Sequence, residues 1–405
     1  MGWGVCLGLL WTFGFPDQAD GGDFQGSTHL IEFERNPIRY STYSSATAVD
    51  RLSRQWSEEG HSLAYHSGSG YLEGLLEALD IAPASQVLVF AKSSAQRDLI
   101  SPRNPRAIYF NDEVYVGFIP GAPLLELTAA DARLGPVFYT MEQRRQKLPR
   151  FERTSQCLEC HAASRTMGVP GHLFRSFSVD DQGFVDFTAL GDQMTHRLPF
   201  AERFGGWYVS GDPVVEQGHG RWLADSDELD FDPGAFPGEG SDVVAMMVLG
   251  HQVHFHNYVT RLNFEARIAL RQYGHTRYLR AQIEAFLRYL LFVDEAPFPS
   301  PISGSSAFSE SFGKRAKPDS QGRSLRDFDL EDRLFKYRCS YLIGGEPFEG
   351  LETSVRRQVC RRLQQILEKE SAPPPFDHLD GVERRAIHRI LSETRPGVVA
   401  LWSQN

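Results

Sequence analysis

Two thiols three residues apart, followed at once by an imidazole, stand near the middle of the chain as Cys157-Leu158-Glu159-Cys160-His161. One helical turn carrying these groups can present both sulfurs to the two vinyl groups of a porphyrin and place a nitrogen under its iron. Cys-x-x-Cys-His therefore reads as a covalent c-type haem attachment string. Five cysteines and 13 histidines in 405 residues make it a rare accident of composition, on the order of 0.002 per chain. Two other chemistries compete. A structural zinc site needs four ligands, and Cys339 and Cys360 are not spaced as a second pair. A redox dithiol belongs after a strand in a βαβ unit, whereas the flanks here are "LPRFERTSQ" and "AASRTMGVPG". The expectation is one haem c, held by Cys157 and Cys160, with His161 as the proximal iron ligand.

Further candidates follow from what such a group needs. In "VAMMVLGHQVHFHNYVTRLNFEAR" the 3-4 spacing places Met247, His251, His254, Tyr258, Arg261 and Glu265 on one helical face. Val244, Val248, Phe255, Val259 and Leu262 form the neighbouring apolar stripe. The polar face is either a seam between helices or a wall of the haem site. On the second reading, His254 or His251 is the distal iron ligand. In an enzyme, His251, His254 and Arg261 would be the catalytic groups. In "HRLPFAERFGGWYVSGDP", Arg197 and Arg203 suit carboxylate partners, and Trp207 and Tyr208 suit a flat apolar edge. His172 and Met194 have no positional argument in their favour.

The elements that must position these groups give an α+β pattern, β-rich with hairpins in the N-terminal half and mainly helical in the C-terminal half. Helical periodicity runs over about 46–58 and 71–79. "QVLVFA", "PLLELTAA" and "GPVFYTME" read as strands, and "RAIYFNDEVYVGFI" as a hairpin turning at Asn111-Asp112. A second hairpin is expected in "FRSFSVDDQGFVDFTAL", turning at 181–183. Long helices are expected over about 242–273, 276–292, 353–370 and 382–392, with the Pro/Ser/Gly-rich segment 296–325 as a surface loop. The organisation reads as an irregular 1–38, an α+β region 39–150 and a haem-binding region 151–405, in one continuous body. The acidic loop 225–242 lacks the glycine of a calcium-binding EF-hand loop.

Net charge is -10 with no basic stripe, which argues against nucleic acid as a partner. No run reaches the length of a membrane-spanning helix. The apolar run from Val5 to about Phe15 has the length of an export-signal core, without the usual preceding cation or a clean cleavage site. If the chain is exported and Cys6 leaves with that signal, Cys339 and Cys360 remain, either as a disulfide or as two buried thiols.

Several long strings, among them "SQVLVFAKSSAQRDLISPRNPRAIYFNDEVYVGFIPG", "FERTSQCLECH", "GVPGHLFRS", "FGGWYVSG" and "FKYRCSYLI", are similar to a family of large bacterial cytochrome c domain-containing proteins with a single haem motif. The resemblance spans roughly 40–402. It implies covalent haem and a periplasmic or otherwise exported location, and it brings no substrate or reaction. Small soluble cytochromes c carry the motif near the start of a chain of about 100 residues. Here it follows more than 150 residues of other structure. The leading expectation is electron transfer with a redox partner protein or a small oxidant or reductant. A peroxidase- or oxidase-like enzyme is the alternative, and a haem-based gas sensor comes last because no output domain is visible.

Overall fold

The computed structural model describes residues 29–60, 63–186, 188–189, 191–212, 218–225 and 229–402. The apolar N-terminal run and Cys6 lie outside these residues. The architecture is α+β, as the sequence pattern indicates. Six strands form an antiparallel meander in chain order: β1 (Val87–Val89), β2 (Arg106–Phe110), β3 (Val114–Phe118), β4 (Leu124–Asp131), β5 (Gly135–Glu142) and β6 (Phe151–Arg153). The β2–β3 hairpin turns where expected. The Asn111 side-chain oxygen accepts from the amides of Glu113 and Val114 at 3.0 and 2.9 Å, closing the turn locally.

Period-two alternation assigns the two faces of the sheet. Leu125, Leu127 and Ala129 of β4 join Val116, Val137 and Tyr139 in a core against helices α1 (Ala48–Glu59) and α2 (Leu72–Ala78). Glu126 and Thr128 point to the other face and are only partly buried. That second face carries the candidate site. It is flanked by the single-turn helix α3 (Leu158–His161) and by α4 (Val243–Tyr273).

Helix α4 starts where Asp242 accepts from the Ala245 amide at 2.7 Å and stops at Gly274 in the left-handed conformation. Every residue from Val243 to Phe264 is buried, so it is the axis of the second core. Around it pack α5 (Arg280–Leu290), α6 (Ser306–Lys314), α7 (Glu346–Glu349) and α8 (Thr353–Glu368), and α9 (Gly381–Thr394) packs on α8. Fully burying one leucine or phenylalanine contributes about 1.5–3 kcal/mol. Leu262 and Phe255 are both at 0% exposure, so α4 is held by packing rather than by helix propensity.

Two expectations change and one open alternative is decided. The segment 296–325 is not all loop. Ser305 caps α6, and Phe308 and Phe312, four apart on its inner face, bury themselves. Apolar spacing there outweighs a Ser/Gly-rich composition. The second hairpin is reduced to isolated bridges, Val179 with Val185 and Arg175 with Gln193. Gly183 sits at its turn with φ 82°, where a Cβ would meet the Phe90 carbonyl oxygen at 2.3 Å. Cys339 and Cys360 are two buried free thiols, and burial pushes both up to about 12. Among the described residues no helix is long and apolar enough to cross a membrane.

Candidate functional site

Strand β6 delivers the motif. Thr154 extends the ladder by donating to the Phe138 carbonyl at 3.0 Å, and the chain then closes the turn of α3. The His161 amide donates to the Cys157 carbonyl at 2.9 Å, so both thiols and the imidazole belong to one turn. The following segment folds back. The Thr166 hydroxyl is buried and donates to the Val169 carbonyl at 2.7 Å, and the Gly171 amide donates to the His161 carbonyl at 2.8 Å.

That return path fixes the imidazole. His161 Nδ1 lies 2.9 Å from the Gly171 carbonyl oxygen. A carbonyl only accepts, so Nδ1 carries the proton and the lone pair of the neutral ring is on Nε2. Nε2 has no hydrogen-bond partner among the described residues. Burial lowers the His161 pKa, with the Arg106 charge adding to the effect and the Gly171 bond opposing it. The neutral form needed for metal ligation is therefore the favoured one, and its second nitrogen is tied to a backbone acceptor as ligating histidines usually are. Phe138 packs beside the ring at 5.0 Å.

Cys160 is exposed and Cys157 is half-buried, so both sulfurs are accessible. Burial, reinforced by the Glu126 carboxylate, pushes Cys157 up to about 11. A redox dithiol needs the opposite shift. Among the described residues no three His, Cys, Asp or Glu side chains converge as a metal-ion set, which is what a zinc site would require. One imidazole with an uncommitted lone pair and two thiols on a single turn are the groups that a porphyrin held by two thioethers, with one axial imidazole, would require.

The face beneath the motif follows from the strand register. Phe138, Thr128 and Tyr115 form one cross-strand row, and Thr140, Glu126, Gly117 and Ile108 form the next. Gly117 leaves a gap in the second row that the Arg106 side chain fills. A Cβ there would meet Arg106 Nη2 at 2.4 Å. Arg106 pairs with Glu126 at 2.6 Å, and the charges of both act on Cys157 and His161. His172 stands over the first row, 3.0 Å from the Thr128 hydroxyl through Nε2 and 4.4 Å ring to ring from Tyr115. Its backbone is clamped by Asn257 of α4, which accepts from the His172 amide at 2.7 Å and donates to its carbonyl at 2.9 Å.

Behind His172 the donors and acceptors of α4 are forced into one direction. The Gln252 amide nitrogen donates to the Asn111 carbonyl at 2.6 Å, which orients the amide. Its other hydrogen goes to the Tyr115 hydroxyl at 2.8 Å, and its oxygen accepts from the Tyr341 hydroxyl at 2.6 Å. Tyr115 must then donate to His256 Nδ1, 3.1 Å away, which leaves the His256 proton on Nε2. His256 Nε2 and His172 Nδ1 are both buried without partners. Burial drops His256 to about 3, and burial with the charges of His256 and His161 holds His172 well below the imidazole range.

The residues singled out in the sequence fall in other places. His251 bonds His196 through the two Nδ1 atoms at 3.1 Å and Ser340 through Nε2 at 2.7 Å, and it stacks on Phe292 at 4.5 Å and Tyr289 at 5.2 Å. His254 packs edge-on against Tyr258 and Tyr289. Arg261 of that face reaches the motif's surroundings. It donates to the Met167 carbonyl at 2.8 Å and the His29 carbonyl at 2.9 Å, and pairs with Glu265 at 2.6 Å. Arg197 donates to the Val293 carbonyl, and Arg203 is buried with its donors on the Leu198 and His196 carbonyls. Burial lowers Arg203 to about 10. Trp207 donates to the Arg175 carbonyl at 2.7 Å, and Tyr208 to the Pro102 carbonyl at 2.9 Å. Arg197 and Arg203 thus join the His196–His251 cluster, whereas the imidazole whose titration feels the His161 charge is His172.

Arg106, Glu126, Thr128, Phe138 and Gly117 lie at the site without having been singled out. Their signal was the lone glycine inside a strand pattern, which marks a close approach. No family model, curated protein or solved structure matches the chain.

Proposed function

We propose that Cys157 and Cys160 hold one haem c through thioether bonds, that His161 Nε2 is its proximal iron ligand, and that the chain is an exported cytochrome c-like electron carrier. The observation that carries this reading is the His161 Nδ1–H bond to Gly171, which leaves a fixed lone pair on the same turn as two accessible thiols. When bound, such a group supplies a one-electron couple whose potential is set by axial ligands, hydrogen bonds and burial. The chain's own part is to fix the imidazole tautomer, to place Phe138 against the ring and to hold the Arg106–Glu126 pair beside Cys157. Exchanging a partner of that ion pair would change the local charge and shift the potential.

An enzyme of this kind would need acid–base groups with polar atoms available to a substrate. His251 has both nitrogens committed, to His196 and Ser340, and Arg261 is committed to two carbonyls and Glu265. With two of the three catalytic candidates so committed, the carrier is the reading put forward. The test is the visible spectrum of the purified, reduced protein with and without carbon monoxide, after denaturing electrophoresis with haem staining. Covalent stain and a low-spin spectrum indifferent to carbon monoxide are expected. Rapid carbon monoxide binding would turn the assignment towards an enzyme or a gas-binding protein, and a stain-free band would remove the haem reading.

A further inference from the structure

Three loops meet at one end of the six-stranded sheet. The segment before β2, the β3–β4 turn and the β5–β6 loop are tied side by side there. Gln96 donates to the Leu124 carbonyl at 3.2 Å, Asn104 to the Pro120 carbonyl at 3.2 Å, and the Gln143 amide to the Pro123 carbonyl at 2.8 Å. The third of these loops leads through β6 into the motif, so that Cys157 follows Arg150 by only seven residues. Arg106, the first residue of β2, pairs at 2.6 Å with Glu126, the third of β4, close to this end.

The surface so formed has a sign opposite to that of the molecule. Arg97, Arg103, Arg144, Arg145, Lys147 and Arg150 are all exposed on these loops, in a chain of net charge -10. Arg144 pairs with Glu142 at 3.4 Å, and Glu126 is taken by Arg106. Among the described residues Arg97, Arg103, Arg145, Lys147 and Arg150 have no ion pair; Asp98 on the same loops, and Glu152 and Glu159 beyond the third, are exposed acids likewise without one. Two of the few large apolar side chains left exposed also sit here, Leu99 at 41% and Leu148 at 44%. A pair of apolar contacts within a cationic rim is the composition of a small transient interface, in which charge sets encounter and orientation while apolar contact gives closeness.

We propose that this end of the sheet is the docking surface for an acidic redox protein. The inference rests on the reading of Cys157–His161 as the haem attachment turn, because that is what gives a redox partner a reason to bind there. A small protein can face the rim alone, within the ~8 Å over which charge acts at physiological salt. An extended anionic membrane would also meet the repulsion of the rest of this acidic chain.

The experiment uses the haem-bearing full chain with a small acidic [2Fe–2S] ferredoxin, and a small basic cytochrome c as the opposite-charge control. Binding is read by fluorescence anisotropy of labelled ferredoxin, and electron transfer by stopped flow from the reduced ferredoxin. Affinity and rate are expected to fall about tenfold between about 20 and about 200 mM salt. The triple variant Arg145→Glu, Lys147→Glu, Arg150→Glu should lose about tenfold at low salt with an unchanged visible spectrum. Arg97→Glu with Arg103→Glu, on a separate loop, should reproduce the loss. Binding indifferent to salt and to both variants, or equal binding of the basic cytochrome, would overturn the surface. So would patch-dependent binding to phosphatidylglycerol-containing phosphatidylcholine vesicles without binding of the ferredoxin. A chain without denaturation-resistant haem would instead remove the attachment reading, and the partner's redox role with it.

Discussion

The sheet face beneath Cys157–His161 and the cluster around His251 hold much the same kinds of side chain, imidazoles, arginines and aromatic rings. They differ in what those groups have left to offer. Around His251 most polar atoms are spent on one another and on backbone carbonyls, His251 on His196 and Ser340 and Arg203 on Leu198 and His196, although His196 Nε2 is buried without a partner. Around His161 one nitrogen is spent and the other is not, and two thiols reach the surface. The first arrangement is what a core requires of buried polar groups. The second leaves one imidazole lone pair uncommitted on the same turn as two thiols. Chemistry-bearing residue types are therefore a weak guide, and uncommitted atoms a stronger one.

The largest effect expected from breaking this contrast is all-or-none. Cys157→Ala with Cys160→Ala should abolish denaturation-resistant haem while leaving the far-ultraviolet circular dichroism intact, since α3 packs little core. His251→Ala should do the reverse. It leaves attachment in place but removes two buried hydrogen bonds and opens a cavity, a loss of about 3 kcal/mol readable in urea unfolding. Unchanged stability in that variant would mean the cluster is not a structural seam.

Acid should act on the buried imidazoles next. His172, His196, His251 and His256 all have folded pKa values below the unfolded one, so the unfolded chain binds more protons. Their stabilising contribution is complete above about pH 6.5 and is lost as pH falls towards the folded values, at up to about 1.4 kcal/mol per unit for each. Glu295 has the opposite sign. Burial raises it to about 7, so it binds more protons folded, and its contribution is lost as pH rises from about 4.5 to 7. Stability measured by denaturant should fall steeply below pH 6, and Glu295→Gln should remove a smaller decline on the neutral side. A flat profile between pH 4 and 6 would contradict the burial of these rings.

The smallest effect sharpens the sheet face. Gly117→Ala places a methyl group where the Arg106 guanidinium lies and must displace it from Glu126. A stability change of about 1 kcal/mol is expected, together with a shifted midpoint potential of the haem-bearing protein. An unmoved potential would mean the ion pair does not sense the site.

Much of the fold was legible because it is written in local periodicity. β2, β3, β4 and β5 and the long α4 follow from alternation, turn residues and helical spacing near their observed positions. α6 was missed because its Phe308–Phe312 pair is hidden in a Ser/Gly-rich segment. The face assigned to α4 was only half right. Its sequence offers a polar stripe at 251, 254, 258 and 261, but the helix is buried on all sides, and Gln252, His256 and Asn257 carry the network nearest His172. Periodicity separates faces only when one of them meets water.

The sequence by itself determined the turn that carries Cys157, Cys160 and His161, because thiol, thiol and imidazole within five residues need only one helical turn to converge. It also determined the class of the fold, since burying alternating strands and amphipathic helices admits few arrangements. Only the tertiary structure decided which imidazoles are spent and which has a lone pair left, because that depends on partners such as Gly171, Ser340 and Thr128, ten to ninety residues away along the chain. The gathering of scattered cations from three loops at one end of the sheet was likewise decided there. An antiparallel meander returns every second connection to the same end of the sheet, and neither sequence distance nor net charge reports that.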